Sequence, residues 1–326
     1  MFETTNWTKE NLNKTENIST ERAIRKVLLL QGGISSEREI SLKSGKCVQK
    51  ALLELGYEVV PFDTSLGIEK LLQIIKEEKP DCAFNALHGG YGENGCIQAF
   101  LNMMRLPYTH SGVLASALAM NKNKTKQIAT NLDIDTPVGC LVDPLFFTRA
   151  QDVIFNCVIK PNTEGSSIGV HIVKAGSKIP AALKENKENI QSFLIEEYIN
   201  GREFSVACTD TEALGIIELV PNDGFYDYEH KYSDGMTKHI EPMDLPVEVR
   251  KKLLSNAYMM HKGLGCKGVS RSDFRYDADA DRVVFLELNA NPGMTDLSLV
   301  PEMALQKKIT YNELVDMLIK KADFEK

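Results

Sequence analysis

No stretch of about 18 consecutive apolar residues occurs anywhere in the 326-residue chain, so no helix is expected to span a bilayer and no membrane partner is expected. The first 26 residues are polar and carry no apolar h-region; no signal peptide is expected, and residues 1–25 read as a loosely ordered extension. An excess of positive charge is missing as well. The 38 Lys and Arg face 45 Asp and Glu, a net charge of −7 that argues against nucleic acid as a partner. The seven cysteines are odd in number, scattered and contain no C-x-x-C; most lie in apolar runs, where a thiol behaves as a small hydrophobe. A reducing, cytoplasmic compartment is therefore expected. No internal repeat, low-complexity tract or G-x-x-x-x-G-K-[ST] loop is present. The remainder is ordinary: 43% hydrophobic and 25% charged residues, in a chain long enough for two or three domains and a large core.

Residues 282–301, RVVFLELNANPGMTDLSLVP, organise the rest. Val283 to Leu288 reads as an alternating strand, and residues two apart on a strand share a face. Glu287 and Asn289 thus point the same way, just before the turn at Asn291, Pro292 and Gly293. Upstream, GVSRSDFRYD (268–277) reads as a partner strand with Arg271 and Asp273 on one face, joined through the turn-like segment 277–282. If the hairpin closes, Asp273, Glu287 and Asn289 converge as hard oxygen ligands for Mg²⁺ beside a guanidinium; no His or Cys is there to favour zinc. The plainer alternative is a solvated polar face.

Ahead of this hairpin, strands at 26–31, 57–62 and 81–87 alternate with helices. The first helix is capped by Ser35 and carries Val48, Ala51, Leu52 and Leu55 at helical spacing; the second covers 67–78. That alternation predicts a parallel sheet, whose ligands sit beyond the carboxyl ends of the strands, where Glu37 and His88 lie. Glu37 could equally be a first-turn acid favoured by the helix dipole. The glycine-dense loop 88–95 opens a helix over 96–104, and a further helix is expected over 113–131 with Lys122, Lys124 and Lys126 on a solvated face. Strands at 157–161 and 171–174 flank the small-residue loop 162–169, a hairpin that could lie over phosphates through its N–H groups, Ser166, Ser167 and Lys160, or be a tip with no ligand. Strands follow at 192–199, with Glu196 and Glu197, at 204–209 and at 213–220. The aromatic and charged stretch 225–232 reads as a functional loop, and helices are expected over about 246–263 and 311–322.

Taken together, SSEREISLKSG, LHGGYGENG, SGVLASALAMNK, IKPNTEGSSIGV, YDYEHKY, the R-x-D pair and ELNANPGMTDLSLVP resemble, in order, the D-alanine–D-alanine ligase family of the ATP-grasp superfamily, over about residues 26–322. The resemblance implies an α/β ATP-grasp fold of three α/β domains: a parallel-sheet amino-terminal domain (26–120), a central domain (121–200) and a carboxyl-terminal domain (201–326). It implies ATP and a pair of Mg²⁺ ions, with Mn²⁺ able to substitute, D-alanine as the substrate and a homodimer. Lys122, Lys160 and Lys231 match phosphate lysines, Glu196 and Glu197 the adenine hinge, Glu203 the ribose carboxylate, and Asp273, Glu287 and Asn289 the metal ligands. Glu37 and His88 would hold the first D-alanine, and Ser298 with the backbone near Gly293 the carboxylate of the second. Arg271 and the Gly293 N–H would stabilise an oxyanion, while Ser166, Tyr232 and Glu37 would link loops to substrate. Position 197 is Glu where relatives often carry Lys. The implied reaction is ATP-dependent ligation of two D-alanines through an acyl phosphate, for peptidoglycan precursors. The rivals are a D-alanine–D-lactate ligase, another carboxylate–amine ligase of the superfamily, and a nucleotide-binding sensor without activity.

Overall fold

Three sheets carry the chain in a computed structural model that describes residues 24–149, 153–166, 168–185, 190–221 and 237–325. In the first, β1 (Lys26–Gln31), β2 (Glu58–Asp63) and β3 (Cys82–Asn85) run parallel in the order β2-β1-β3. Central β1 buries Val27, Leu28, Leu29 and Leu30 completely, because crossover helices cover both faces of such a sheet. Helices α1 (Arg38–Glu54) and α2 (Ile68–Glu78) make those crossovers, and α3 (Cys96–Met103) follows the glycine loop. Val48, Ala51 and Leu52 are buried as their spacing predicts, whereas Leu55 lies past the helix end and is exposed.

The second sheet is antiparallel, in the order β4-β7-β5-β6: β4 (Gly139–Val142), β5 (Cys157–Pro161), β6 (His171–Val173) and β7 (Phe193–Glu197). The third comprises β8 (Arg202–Thr209), β9 (Ala213–Pro221), β10 (Thr237–Ile240), β11 (Val269–Asp277) and β12 (Arg282–Asn289), ordered β10-β9-β8-β11-β12 and antiparallel throughout. Strands β4 and β10 and the helix Leu299–Gln306 go beyond the elements expected from sequence. Their periodic segments are too short to stand out.

Two expectations are corrected. The helix expected over 113–131 is two helices, α4 (Val113–Met120) and α5 (Lys122–Asn131), broken where Asn121 turns extended and its side chain caps Lys124 N at 3.1 Å. Ser35 does not cap α1; Glu37 occupies that position, and Ser35 Oγ instead donates to the His88 carbonyl at 2.5 Å.

The last helix, Tyr311–Lys320, packs Leu314, Val315, Leu318 and Ile319 into the same core as Val27, Leu29, Val48 and Leu52. Tyr57 Oη donates to Asp316 at 2.8 Å and Asn312 to Glu54 at 2.9 Å along that seam. Ile24 also packs on this core, and the Arg25 N–H donates to Asp81 at 2.9 Å, so the body of the protein begins before residue 26. The rest of the expected extension, residues 1–23, lies outside the described residues. Residues 2–23 carry no apolar periodicity, so their deletion should leave turnover and the melting temperature unchanged. Removing Ile24 and Arg25 as well should cost about 1–2 kcal/mol. Differential scanning calorimetry of the two truncations separates these outcomes.

His110 is buried beside Phe84, their rings 5.4 Å apart edge to face, and its Nδ1 pairs with Thr109 Oγ1 at 2.9 Å. Burial, aided by the neighbouring His88, pushes its pKa from 6.5 down to about 3. Between those values the unfolded chain binds the extra proton, so His110 contributes stability in full above pH 6.5 and loses it as pH falls toward 3. Lowering the pH from 7 to 5 should cost about 2 kcal/mol through this ring alone. Urea unfolding should show a shallower pH slope in His110→Gln; an identical slope in the variant and the parent would refute the assignment.

Candidate active site

A β-bulge shapes the site. Val283 and Phe285 belong to the same buried core as Leu288 and Ala290, so the inward parity switches from odd to even between them. The switch falls at Leu286, which pairs with nothing on β11: the register runs Asp273↔Glu287 and then Phe274↔Phe285. Phe285 thereby reaches Phe274, 5.6 Å away between ring centroids, while Glu287 and Asn289 face the cavity. Asp273 stands opposite Glu287 and Arg271 opposite Asn289, so the expected hairpin forms in the expected register. Arg271 forks the Asp273 carboxylate, Nε at 3.0 Å and Nη2 at 2.9 Å. Ser205, across on β8, donates to Asp273 Oδ1 at 2.6 Å. The sequence reading missed Ser205; its only signal is alternation along EFSVACT, which gives no hint of the partner strand.

These groups line a cavity of about 390 Å³ that also takes in Glu37, His88, Lys122, Ser166, Gly293 and Ser298. Ten of the anticipated positions therefore meet in one space, from elements as distant as α1 and β12. The Glu37 carboxylate accepts from Ser166 Oγ and is closely packed by glycines: a Cβ at Gly89 would fall 2.6 Å, and one at Gly165 3.1 Å, from Glu37 Oε2. The positive φ of 66° at Gly89 and the closeness of that oxygen together favour glycine there. His88 Nε2 pairs with Ser44 Oγ at 2.9 Å, with Glu93 Oε1 3.4 Å from Nδ1. Ser298 precedes the helix Leu299–Gln306 and its Oγ accepts from Thr295 N at 2.9 Å. A Cβ on Gly293 would lie 2.8 Å from that hydroxyl, so the glycine lets backbone and serine share the cavity wall.

A second cavity of about 90 Å³ adjoins the first through Lys122, Glu164, Gly165, Asp273 and Glu287. Lys160, Glu196, Glu197 and Glu203 line it. The expectation of a solvated lysine face holds for Lys124 and fails for Lys122 and Lys126, both buried. Lys122 Nζ donates to the Glu164 carbonyl and lies 3.5 Å from Glu287. Glu196 is buried between two ammonium groups, Lys126 at 2.8 Å and Lys160 at 2.9 Å. Burial opposes its charge, but those lysines hold its pKa below the ordinary carboxylate value. Burial likewise opposes the Lys160 charge, yet Glu196 and Glu287 hold its pKa above the usual lysine value. Lys126 goes the other way: burial, with the Lys160 charge adding to it, pulls its pKa down.

Glu197, the odd residue at its position, reaches Arg282 at 3.1 Å and accepts from Val138 N at 3.1 Å. Arg282 also holds Asp135 at 2.9 Å, so Glu197 ties the segment before β4 to the hairpin. Glu203 pairs with Arg275 at 2.9 Å. Asn162 was also missed: its Oδ1 accepts from Asn123 N at 2.9 Å and its Nδ2 donates to Asn121 at 3.0 Å, fixing the start of α5 to the phosphate-type loop. Ser167 and the whole of the 225–236 loop, with Lys231 and Tyr232, lie outside the described residues.

A family model for the D-ala D-ala ligase carboxyl terminus matches residues 144–320, and one for the amino terminus matches residues 67–111. A D-alanine–D-alanine ligase of Zymomonas mobilis is 45% identical over 302 residues, covering 91% of this chain and 93% of that one. One from Wolbachia of Drosophila simulans is 46% identical, covering 90% and 92%. The crystal structure of D-alanine–D-alanine ligase from Bacillus anthracis superposes with a TM-score of 0.77 at 31% identity, covering 91% of this chain and 97% of that one. The same enzyme complexed with ATP gives 0.76 at 30% identity, covering 92% and 97%. With nearly the whole chain matched by both sequence and fold, this protein belongs to the D-alanine–D-alanine ligase family of ATP-grasp enzymes.

Proposed function

We propose that the chain transfers the γ-phosphoryl group of ATP to the carboxylate of one D-alanine and joins the resulting acyl phosphate to the amine of a second, releasing ADP, phosphate and D-alanyl-D-alanine for peptidoglycan precursors. The observation that carries this reading is the hairpin register, Asp273 opposite Glu287 and Arg271 opposite Asn289, facing one cavity with Glu37 and Ser298. A carboxylate does not condense with an amine unaided, because its oxygen is a poor leaving group. Phosphoryl transfer needs positioning and charge neutralisation above all.

The donor set suits a hard divalent cation: two carboxylates and an amide oxygen, brought to one face by the hairpin register. The Arg271 fork holds both Asp273 oxygens, so the site pairs this carboxylate with a positive charge of its own. Mg²⁺ held by Asp273, Glu287 and Asn289 would neutralise phosphate charge. Lys122 and Lys160, with Lys231, would hold the phosphates, and Glu203 the ribose. Glu196 and Glu197 belong to the adenine hinge through their backbone, since both carboxylates are already paired within the chain. Glu37 would take the first ammonium beside His88, and Ser298 the second carboxylate. Arg271 and the Gly293 N–H would face the oxyanion of the tetrahedral adduct. Glu37, Ser166 and Tyr232 would join substrate to the loops that keep water from the acyl phosphate.

The three sheets fall within units of residues 26–120, 121–200 and 201–326, the division we propose for the domains. A homodimer in the cytoplasm is part of the same reading. ADP release with D-alanine as the only amino acid tests it, because other carboxylate–amine ligases and an inactive nucleotide sensor would stay silent. Mass spectrometry of products from mixed D-alanine and D-lactate should show the dipeptide alone; a dominant ester would overturn the choice of nucleophile.

A further inference from the structure

We propose that Lys126 is a positioning residue for ATP capture: it holds the Glu196 carboxylate so that Lys160 can leave that carboxylate for the nucleotide phosphates. The inference rests on the reading of Lys160 as a phosphate lysine. Glu196 is shared between the two ammonium groups, Oε1 with Lys126 at 2.8 Å and Oε2 with Lys160 at 2.9 Å, and all three side chains are buried. Their positions differ in one respect. Lys160 and Glu196 line the smaller cavity, whereas Lys126 lines neither cavity and stands behind the carboxylate. Beyond this ion pair, Lys126 Nζ has no hydrogen-bonding partner among the described residues. It is dedicated to Glu196. Its helix α5 begins at Lys122, one turn earlier on the same face, so a single helix aims one lysine into the cavities and another at the carboxylate behind them.

The charge arithmetic gives Lys126 its function. With both lysines present the cluster carries one surplus positive charge, available for an anion. When Lys160 moves to a phosphate, Glu196 remains paired with Lys126. Without Lys126, the same move would strand a carboxylate away from water, and such a group strongly resists losing its only partner. Glu196 would then compete with ATP for Lys160. Lys126 therefore sets how readily the enzyme exchanges an internal anion for the nucleotide, and it touches neither ATP nor D-alanine.

The test uses the full chain at saturating D-alanine with ATP varied, following ADP release. K126M should raise the KM for ATP about tenfold or more while changing kcat by less than about threefold. K126R, which keeps the charge, should stay within about threefold of the parent in both constants. The decisive comparison is E196Q against K126M/E196Q. With the carboxylate neutralised, Lys126 has nothing to hold, so these two should share one KM for ATP within about twofold. That comparison stands even where K126M alone fails to fold. A KM unchanged in K126M, or a further rise on adding K126M to E196Q, would overturn the proposal and assign Lys126 to packing. Absence of ADP release from the parent chain would instead sink the ligase reading.

Discussion

Asp273→Asn and Glu287→Gln are each expected to lower ADP release at saturating ATP, D-alanine and Mg²⁺ by roughly 10³-fold, the effect of losing several kcal/mol of charge stabilisation. The amides keep the shape and most hydrogen bonds of the carboxylates, so the melting temperature should move by no more than about 4 °C. In the first variant the Ser205 hydroxyl can still donate to the amide oxygen that takes the place of Asp273 Oδ1, which keeps β8 and β11 in register. Asn289→Ala should act in the same direction. If either charge-neutral variant retains near-parental turnover while its melting curve is unchanged, Asp273 and Glu287 are not metal ligands. Removing divalent cations with a chelator should abolish turnover of the parent and leave its melting temperature unaltered, because the Arg271 fork compensates the Asp273 charge from within the chain.

Arg271→Lys should reduce kcat by about 10²-fold with a much smaller change in KM. A guanidinium offers a planar fork, and here two of its nitrogens already meet Asp273 at 3.0 and 2.9 Å. A lysine ammonium can satisfy one of those oxygens, and from a different direction. It would both loosen Asp273 and fail to present a second donor to a tetrahedral oxyanion. An unchanged kcat with a raised KM for D-alanine would make Arg271 a substrate clamp instead.

The hairpin was legible because β-strand parity and hard oxygen chemistry point to the same residues. Asp273, Glu287 and Asn289 share a face in either reading. The bulge at Leu286 was not legible, since V-V-F-L-E-L-N supports either parity and only the packing of Phe285 on Phe274 decides between them. The parallel sheet followed from alternating strands and helices, while β4 and β10 are short and have no period to read. The lysines of α5 show the same limit. Helical spacing puts Lys122 and Lys126 on one face, but Glu196, far along the chain, is what buries Lys126. Serine before a helix is a common cap; here the His88 carbonyl outcompetes the helix for Ser35, which no local pattern reveals.

The seam between the first sheet and the last helix governs how the chain emerges from a ribosome. Strands β1 to β3 are complete by residue 85, yet the side chains that cover Val27, Leu29 and Val48 arrive with Leu314 to Ile319. At roughly 5–20 residues per second, the nascent sheet waits on the order of 10 s or more for that cover. Throughout that interval it offers an apolar face and the open β2 edge to any chaperone or protease nearby. Closure of this seam is thus a late, long-range event, and a ribosome stalled before Tyr311 would hold a chain with its substrate sheet already formed and its core still open.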